Sequence, residues 1–221
     1  MTSSHPEPPD QLDVPLELDP RDWESRQLYF LMTALVVPRP IAWISTVSSE
    51  GVRNVAPHSY FNLVSTRHIM FSSSRVKDTI TNIRATGEFV VNFVSVELAE
   101  QMNFTATDFP PEEDEFTWAE IGAAPSAVVA PPRVAASRAH LECRAVEEVH
   151  VGPSYVTFGE VVHVHVDPAV WRDGRVDPVL LDPLGRLSGS GYAELGDVFK
   201  LRRPTWDDIR DTGPGEAIPR R

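Results

Sequence analysis

The chain is short of the features that mark most specialised protein classes. One cysteine in 221 residues can make neither an internal disulfide nor a thiolate-rich zinc site. No uninterrupted apolar run approaches the ~20 residues of a membrane helix; the nearest, LMTALVV (31–37), is stopped by Pro38. The opening MTSSHPEPPD has neither the basic region nor the apolar region of a secretory leader, so a cytoplasmic protein is expected. Basic side chains are also scarce, 20 against 32 acids for a net charge of −12. That balance argues against a nucleic-acid binder, because phosphate backbones reward basic surface, and against an acidic membrane as partner. What the chain does have is length, enough to bury roughly 70% of its unfolded surface around one core.

The charge is unevenly spread. Residues 1–24 hold seven acids and only Arg21, and residues 97–120 hold eight acids and no base. Residues 37–96 reverse the sign, with six bases (Arg39, Arg53, Arg67, Arg75, Lys77, Arg84) against three acids (Glu50, Asp78, Glu88), a net of +3. An anionic ligand would find its local exception there.

Residues 1–24, with five prolines and few large apolar groups, read as a flexible acidic arm. Residues 25–204 read as the folded domain, and 205–221, rich in Gly and Pro, as a tail. Inside the domain the periodicity is mostly two. Strands are expected at 41–47 and 52–57, joined by a turn ending at Gly51, then at 68–74, 88–94, 133–151 and 155–167. Helical signals are brief. DTITNIRATG (78–87) has Asp78 or Thr79 to cap it and Gly87 to end it, and VELAEQMNF (96–104) is a second. The fold class is therefore mostly β, an antiparallel barrel with short flanking helices.

Three segments carry polar groups that a structural strand does not require. In PRPIAWISTVSSEGVRNVAPHSYFN (38–62), Thr46 is a hydroxyl on the apolar side of its strand. Asn54, Ala56, Pro57, His58, Ser59, Tyr60 and Phe61 then follow where proline interrupts the ladder. Main-chain groups released from a ladder need partners, and a heterocycle edge is one. In SSSRVKDTITNI (72–83), Ser73, Ser74, Arg75 and Lys77 precede a helix starting at Asp78 and Thr79. Cations, hydroxyls and unpaired amides at a helix N-terminus outline a phosphate site. In DPLGRLSGSGYAELGDVFKLRRP (182–204), Gly189 and Gly191 beside Tyr192 permit close approach of a ligand or a second subunit.

PRPIAWIST, NVAPHSYF, KDTITNIRATGEFVVNFV, FGEVV and RLSGSGY, in this order, resemble the flavin reductase-like domain of the FMN-binding split barrel proteins. The resemblance runs from about Val37 to Pro204. It implies a six-stranded antiparallel Greek-key split barrel, homodimeric, with FMN near the interface and FAD as an alternative. It also implies that Thr46 and residues 54–61 lie along the ribityl chain and ring, and that Ser73, Ser74, Arg75, Lys77, Asp78 and Thr79 hold the 5′-phosphate. NAD(P)H would be the electron donor, and a flavin or another molecule the acceptor. No side chain is needed as acid or base, and His58 is the one titratable group placed to tune the ring.

There is a departure from the family pattern. Many two-component reductases of this family carry a nicotinamide-contacting histidine five residues before the glycine of their G-E/R-V strand; here that position is Ser154. An electron carrier or flavin store of the flavoredoxin kind therefore stands beside the reductase as an alternative. An oxidase of the pyridoxamine-phosphate type fits less well, because the NVAPHSYF and KDT segments match the reductase-like branch. His163 and His165 share a strand face, with His150 as an imaginable third ligand. Alternating Val and His on a half-exposed strand is the ordinary meaning, and no metal site is expected. Cys143 is expected to be a small buried hydrophobe. The acidic loop around Glu112 to Glu115 is either a solvated surface loop or a cap over the site.

Overall fold

The computed structural model describes residues 16–210. Its centre is an antiparallel sheet of β1 (Ala42–Val47), β2 (Arg53–His58), β3 (Phe61–Leu63), β4 (His68–Ser73), β5 (Glu88–Phe93), β6 (Ala139–Val151) and β7 (Ser154–Val166). These lie side by side in the order β2-β1-β5-β6-β7-β4-β3. The sheet thus has seven strands rather than six. The added strand is β3, whose Phe61 and Leu63 pair with Phe71 and Ile69. The proline that was expected to break the ladder does not do so. Pro57 lies within β2 opposite Trp43, and β2 is an edge strand, where a missing N–H is tolerated.

The strand order dictates the shape. Six interstrand gaps would put the edges of a flat sheet about 29 Å apart, yet β2 and β3 are joined by Ser59 and Tyr60 alone. Three Cα steps span at most about 11 Å. The sheet must curl until its edges approach, and the Ser72 amide donating to the Tyr60 carbonyl, 2.8 Å, stitches the seam to β4.

The curl separates two cores, and β1 is buried against both. Ala42 and Ile44 pack with Ile69, Phe71, Phe89 and the helix α2 (Asp78–Thr86) on one face. Ile41 and Trp43 pack on the other with Met102 of α3 (Ala99–Phe104) and Phe116 of α4 (Glu115–Trp118). The glycine of FGEVV has a packing reason, since a Cβ on Gly159 would stand 2.4 Å from the Phe89 ring. Cys143 is fully buried in the core that holds Phe89.

Turn chemistry follows the sequence. Gly51 takes a φ of 87° in the β1–β2 turn, and Gly87, at 74°, ends α2 by donating to the Ile83 carbonyl. Other boundaries moved. The 133–151 strand is broken, a short Arg133–Val134 strand turning through Ser137 before β6 begins. The 96–104 helix opens as a 3₁₀ turn, Val96–Leu98. A helix that periodicity did not suggest, α1 (Ser25–Leu35), precedes β1. Buried Arg39 ties it down, donating to the carbonyls of Thr33 and Val36 and, across the fold, of Leu187. Most of the expected arm lies outside the described residues, as does the end of the tail. The described part of the tail contains a helical turn, Trp206–Ile209, closed by a capping box between Thr205 and Asp208.

Candidate functional site

A cavity of about 520 Å³ opens at the seam, a size typical of small-molecule and cofactor sites. Tyr29 of α1 and three stretches of chain line it. The first is the outer edge of β2 and its link to β3: Asn54, Ala56, Pro57, His58, Ser59 and Tyr60. The second is the end of β4 and the start of α2, residues 72–79, including Ser73, Ser74, Arg75, Lys77, Asp78 and Thr79. The third comes from the acidic region: Thr105 to Phe109, and Glu115.

The second stretch is built for an anion. Lys77 is the N-cap of α2 in extended conformation, and no side chain caps the helix, so its first amides are left for a ligand. Ser73 donates to the Arg75 carbonyl, 2.7 Å, turning the chain so that Arg75 and Lys77 flank the helix start. Asp108 already lies between these cations, 2.5 Å from Arg75 Nη2 and 2.5 Å from Lys77 Nζ. Those two hydrogen bonds hold its carboxyl below the usual carboxylate range. Asp78, in the first turn of α2, is raised by partial burial, which the charge of Lys77 opposes and those of Asp108 and Glu112 reinforce.

Of the six bases in the basic window, only Arg75 and Lys77 reach the cavity. Arg39 is a buried clamp, Arg53 pairs with Asp114, Arg67 with Glu160 and Arg84 with Glu148.

Two expected residues stand behind the cavity rather than in it. Thr46 is fully buried, its hydroxyl accepting from Asn54 Nδ2 at 3.1 Å and Asn82 Nδ2 at 3.0 Å. It holds Asn54 in place, and Asn54 also donates to Thr79, 3.2 Å. Phe61 belongs to the core around Phe71.

Two buried polar atoms of the lining have no hydrogen-bond partner among the described residues, His58 Nε2 and Glu115 Oε2. Such orphans are costly unless something else satisfies them, and they point to a polar ligand. The His58 ring packs on Phe71, centroids 4.9 Å apart. Burial, aided by the charge of Lys77 and opposed by the Ser72 backbone, lowers its pKa to about 4, so it is neutral at neutral pH. Glu115 is pushed up to about 7 by burial, with repulsion from Asp78 and Asp114 added and the amides of Glu115 and Val55 opposing.

Residue periodicity missed Tyr29 of α1, Glu115 and the 105–109 stretch. The signal for the last two was the acidic region itself, read as either loop or cap; the structure folds it over the cavity. Trp43 Nε1 donates to Thr105 Oγ1, 2.9 Å, fastening that cover to the core. The His163 and His165 rings meet at 4.7 Å, with His140 6.0 Å from His165, but His150 does not join them. His150 stacks on Tyr155 near the turn, whereas His165, far along the ladder opposite His140, bonds buried Glu142 at 2.5 Å.

The model of the flavin reductase like domain family matches residues 33–180. The chain belongs to this family. Among solved members, nitrilotriacetate monooxygenase component B from Bacillus cereus is 33% identical with a TM-score of 0.83, over 86% of this chain and all of that one. The 2-nitrobenzoate 2-nitroreductase NbaA of Pseudomonas fluorescens is 30% identical with a TM-score of 0.81, over 86% and 98%. A split-barrel-domain protein from Shewanella frigidimarina, 22% identical with a TM-score of 0.74 over 83% and 96%, shares the fold. In this flavin reductase-like chain the curled sheet is thus a split barrel. No helix among the described residues is long and apolar enough to cross a membrane.

Proposed function

We propose that this chain is an FMN-binding oxidoreductase that takes electrons from NAD(P)H and passes them through the flavin to a further flavin or another acceptor. FAD is the alternative flavin, and the working unit is a cytoplasmic homodimer. The observation that carries the reading is a single cavity with two unlike ends. One end has two cations at an uncapped helix start; the other has an open strand edge beside a neutral histidine whose Nε2 finds no partner among the described residues. Family membership and likeness to a monooxygenase component and a nitroreductase support it.

A bound flavin supplies the redox chemistry by accepting hydride from a nicotinamide. The residues of the chain bind and orient. Arg75, Lys77, Ser74 and the first amides of α2 hold the phosphate, and Asn54 and Thr79 face the sugar alcohol. Main-chain groups of Ala56 to Ser59 meet the ring edge, where fixed dipoles favour the negative charge of the reduced state. His58 adds no charge of its own. Exposed apolar side chains of α1, among them Tyr29, Phe30, Met32 and Leu35, suit a subunit interface.

A specific observation favours a second reading, an electron carrier of the flavoredoxin kind. Ser154 opens β7 beside the hairpin turn and does not line the cavity. Tyr155 is engaged between His150 and Arg84. Neither is offered to a nicotinamide within this subunit.

Mixing the flavin-loaded protein with NADH or NADPH without oxygen, and following the visible flavin band, tests the choice. Bleaching with either nucleotide is expected; an unbleached band with flavin bound overturns the reductase reading in favour of the carrier. Independently, Arg75→Ala with Lys77→Ala should release FMN, and unchanged affinity would remove the phosphate assignment.

A further inference from the structure

The most unusual contact at the cavity is that both phosphate-binding cations are already occupied by a carboxylate of the same chain. Asp108 Oδ2 meets Arg75 and Oδ1 meets Lys77, so the two oxygens are divided between the cations as two oxygens of a phosphate would be. The contact is held in place from both sides. Thr105 is fastened to Trp43, and Phe109 packs between Phe104 and Trp118, with centroids 5.9 and 6.3 Å away. Only Ala106 to Asp108 lie between these anchors. The remaining nearby charges are acidic: Asp78, Glu112 and Glu115. Among the described residues no further lysine or arginine lines the cavity to receive a dianion while Asp108 stays in place.

Resting on the reading that the cavity takes a flavin phosphate, we propose that Asp108 is an internal competitor for that phosphate, making flavin exchangeable and narrowing the preference for phosphorylated over unphosphorylated flavin. The ligand phosphate must displace the carboxylate from Arg75 and Lys77, whereas riboflavin, which has no phosphate, leaves the pair intact. The pair is well solvated, with side chains 41–61% exposed. Displacement is therefore a modest cost, since exposed ion pairs hold weakly. The competitor loosens the phosphate without shutting the site.

The test is a titration of ligand-free protein with FMN and with riboflavin, followed by quenching of flavin fluorescence. It uses the unmodified chain, Asp108→Asn, Asp108→Ala, and each substitution combined with Arg75→Ala and Lys77→Ala. Asp108→Asn and Asp108→Ala should tighten FMN by about tenfold, the scale of two exposed ion pairs, and leave riboflavin affinity unchanged. In the background lacking both cations the effect should vanish. FMN affinity that is unchanged or weakened by both Asp108 substitutions overturns the proposal, as does equal tightening of riboflavin. If removing the two cations leaves FMN affinity untouched, the phosphate site itself is misassigned, a separate failure. Far-ultraviolet circular dichroism of each variant shows whether it is folded.

Discussion

Glu115→Gln should stabilise the ligand-free protein at alkaline pH and leave it unchanged in acid. Glu115 begins α4, is 4% exposed and has no cationic partner among the described residues; the neighbouring Arg53 is committed to Asp114 at 2.5 Å. Burial therefore moves its pKa from the ordinary 4.5 to about 7. Below 4.5 both the folded and the unfolded chain hold the proton, and the group costs nothing. Between 4.5 and 7 only the folded state keeps it, so stability falls as pH rises, by about 1.4 kcal/mol per pH unit. Above 7 the accumulated cost is about 3 kcal/mol, which the isosteric amide does not incur. His58 and His140, both lowered to about 4 chiefly by burial, act oppositely. Their stabilisation is complete above about 6.5 and is lost as pH falls towards 4, identically in both proteins, so it cancels in the difference. Urea unfolding at fixed protein concentration from pH 5 to 8 supplies the measurement. Two curves that run parallel across that range would refute the argument.

Gly159→Ala should cost about 1–3 kcal/mol, because the new methyl would overlap the fully buried Phe89 ring; an unchanged melting temperature would contradict this. The Cys143 thiol, buried and with its pKa raised by burial, should resist a thiol reagent in the native protein. It should react once the chain is unfolded in guanidinium, and rapid labelling of the native protein would count against its placement.

Legibility in the sequence followed locality. That residues 72–79 line one cavity was readable because their hydroxyls, cations and helix start are consecutive in the chain. The β1–β2 hairpin was readable because Gly51 supplies its positive φ. What escaped depends on contacts between distant segments. Thr46 reads as a ligand group because its hydroxyl lies on an apolar face; it accepts instead from Asn54 opposite it in the hairpin and from Asn82, which α2 brings from 36 residues away. The six bases of one window could not be sorted in one dimension, since Asp114, Glu148 and Glu160 arrive from outside it. β3 was too short to announce itself, and α1 was obscured because its apolar run ends in Val36–Val37–Pro38, which reads as extended chain.

The meeting of β2 and β3 at the seam bears on solubility as well as binding. An exposed sheet edge is a template on which other chains can polymerise, and this protein keeps one open at its cavity. Three features spoil that template: Pro57 removes a donor, the two-residue link holds the opposing edge across it, and the hydrogen bond from the Ser72 amide to the Tyr60 carbonyl ties that link to β4. A small planar ligand meets none of these obstacles, whereas a foreign strand meets all of them. The aperture that admits a ligand is thereby closed to self-association of the sheet.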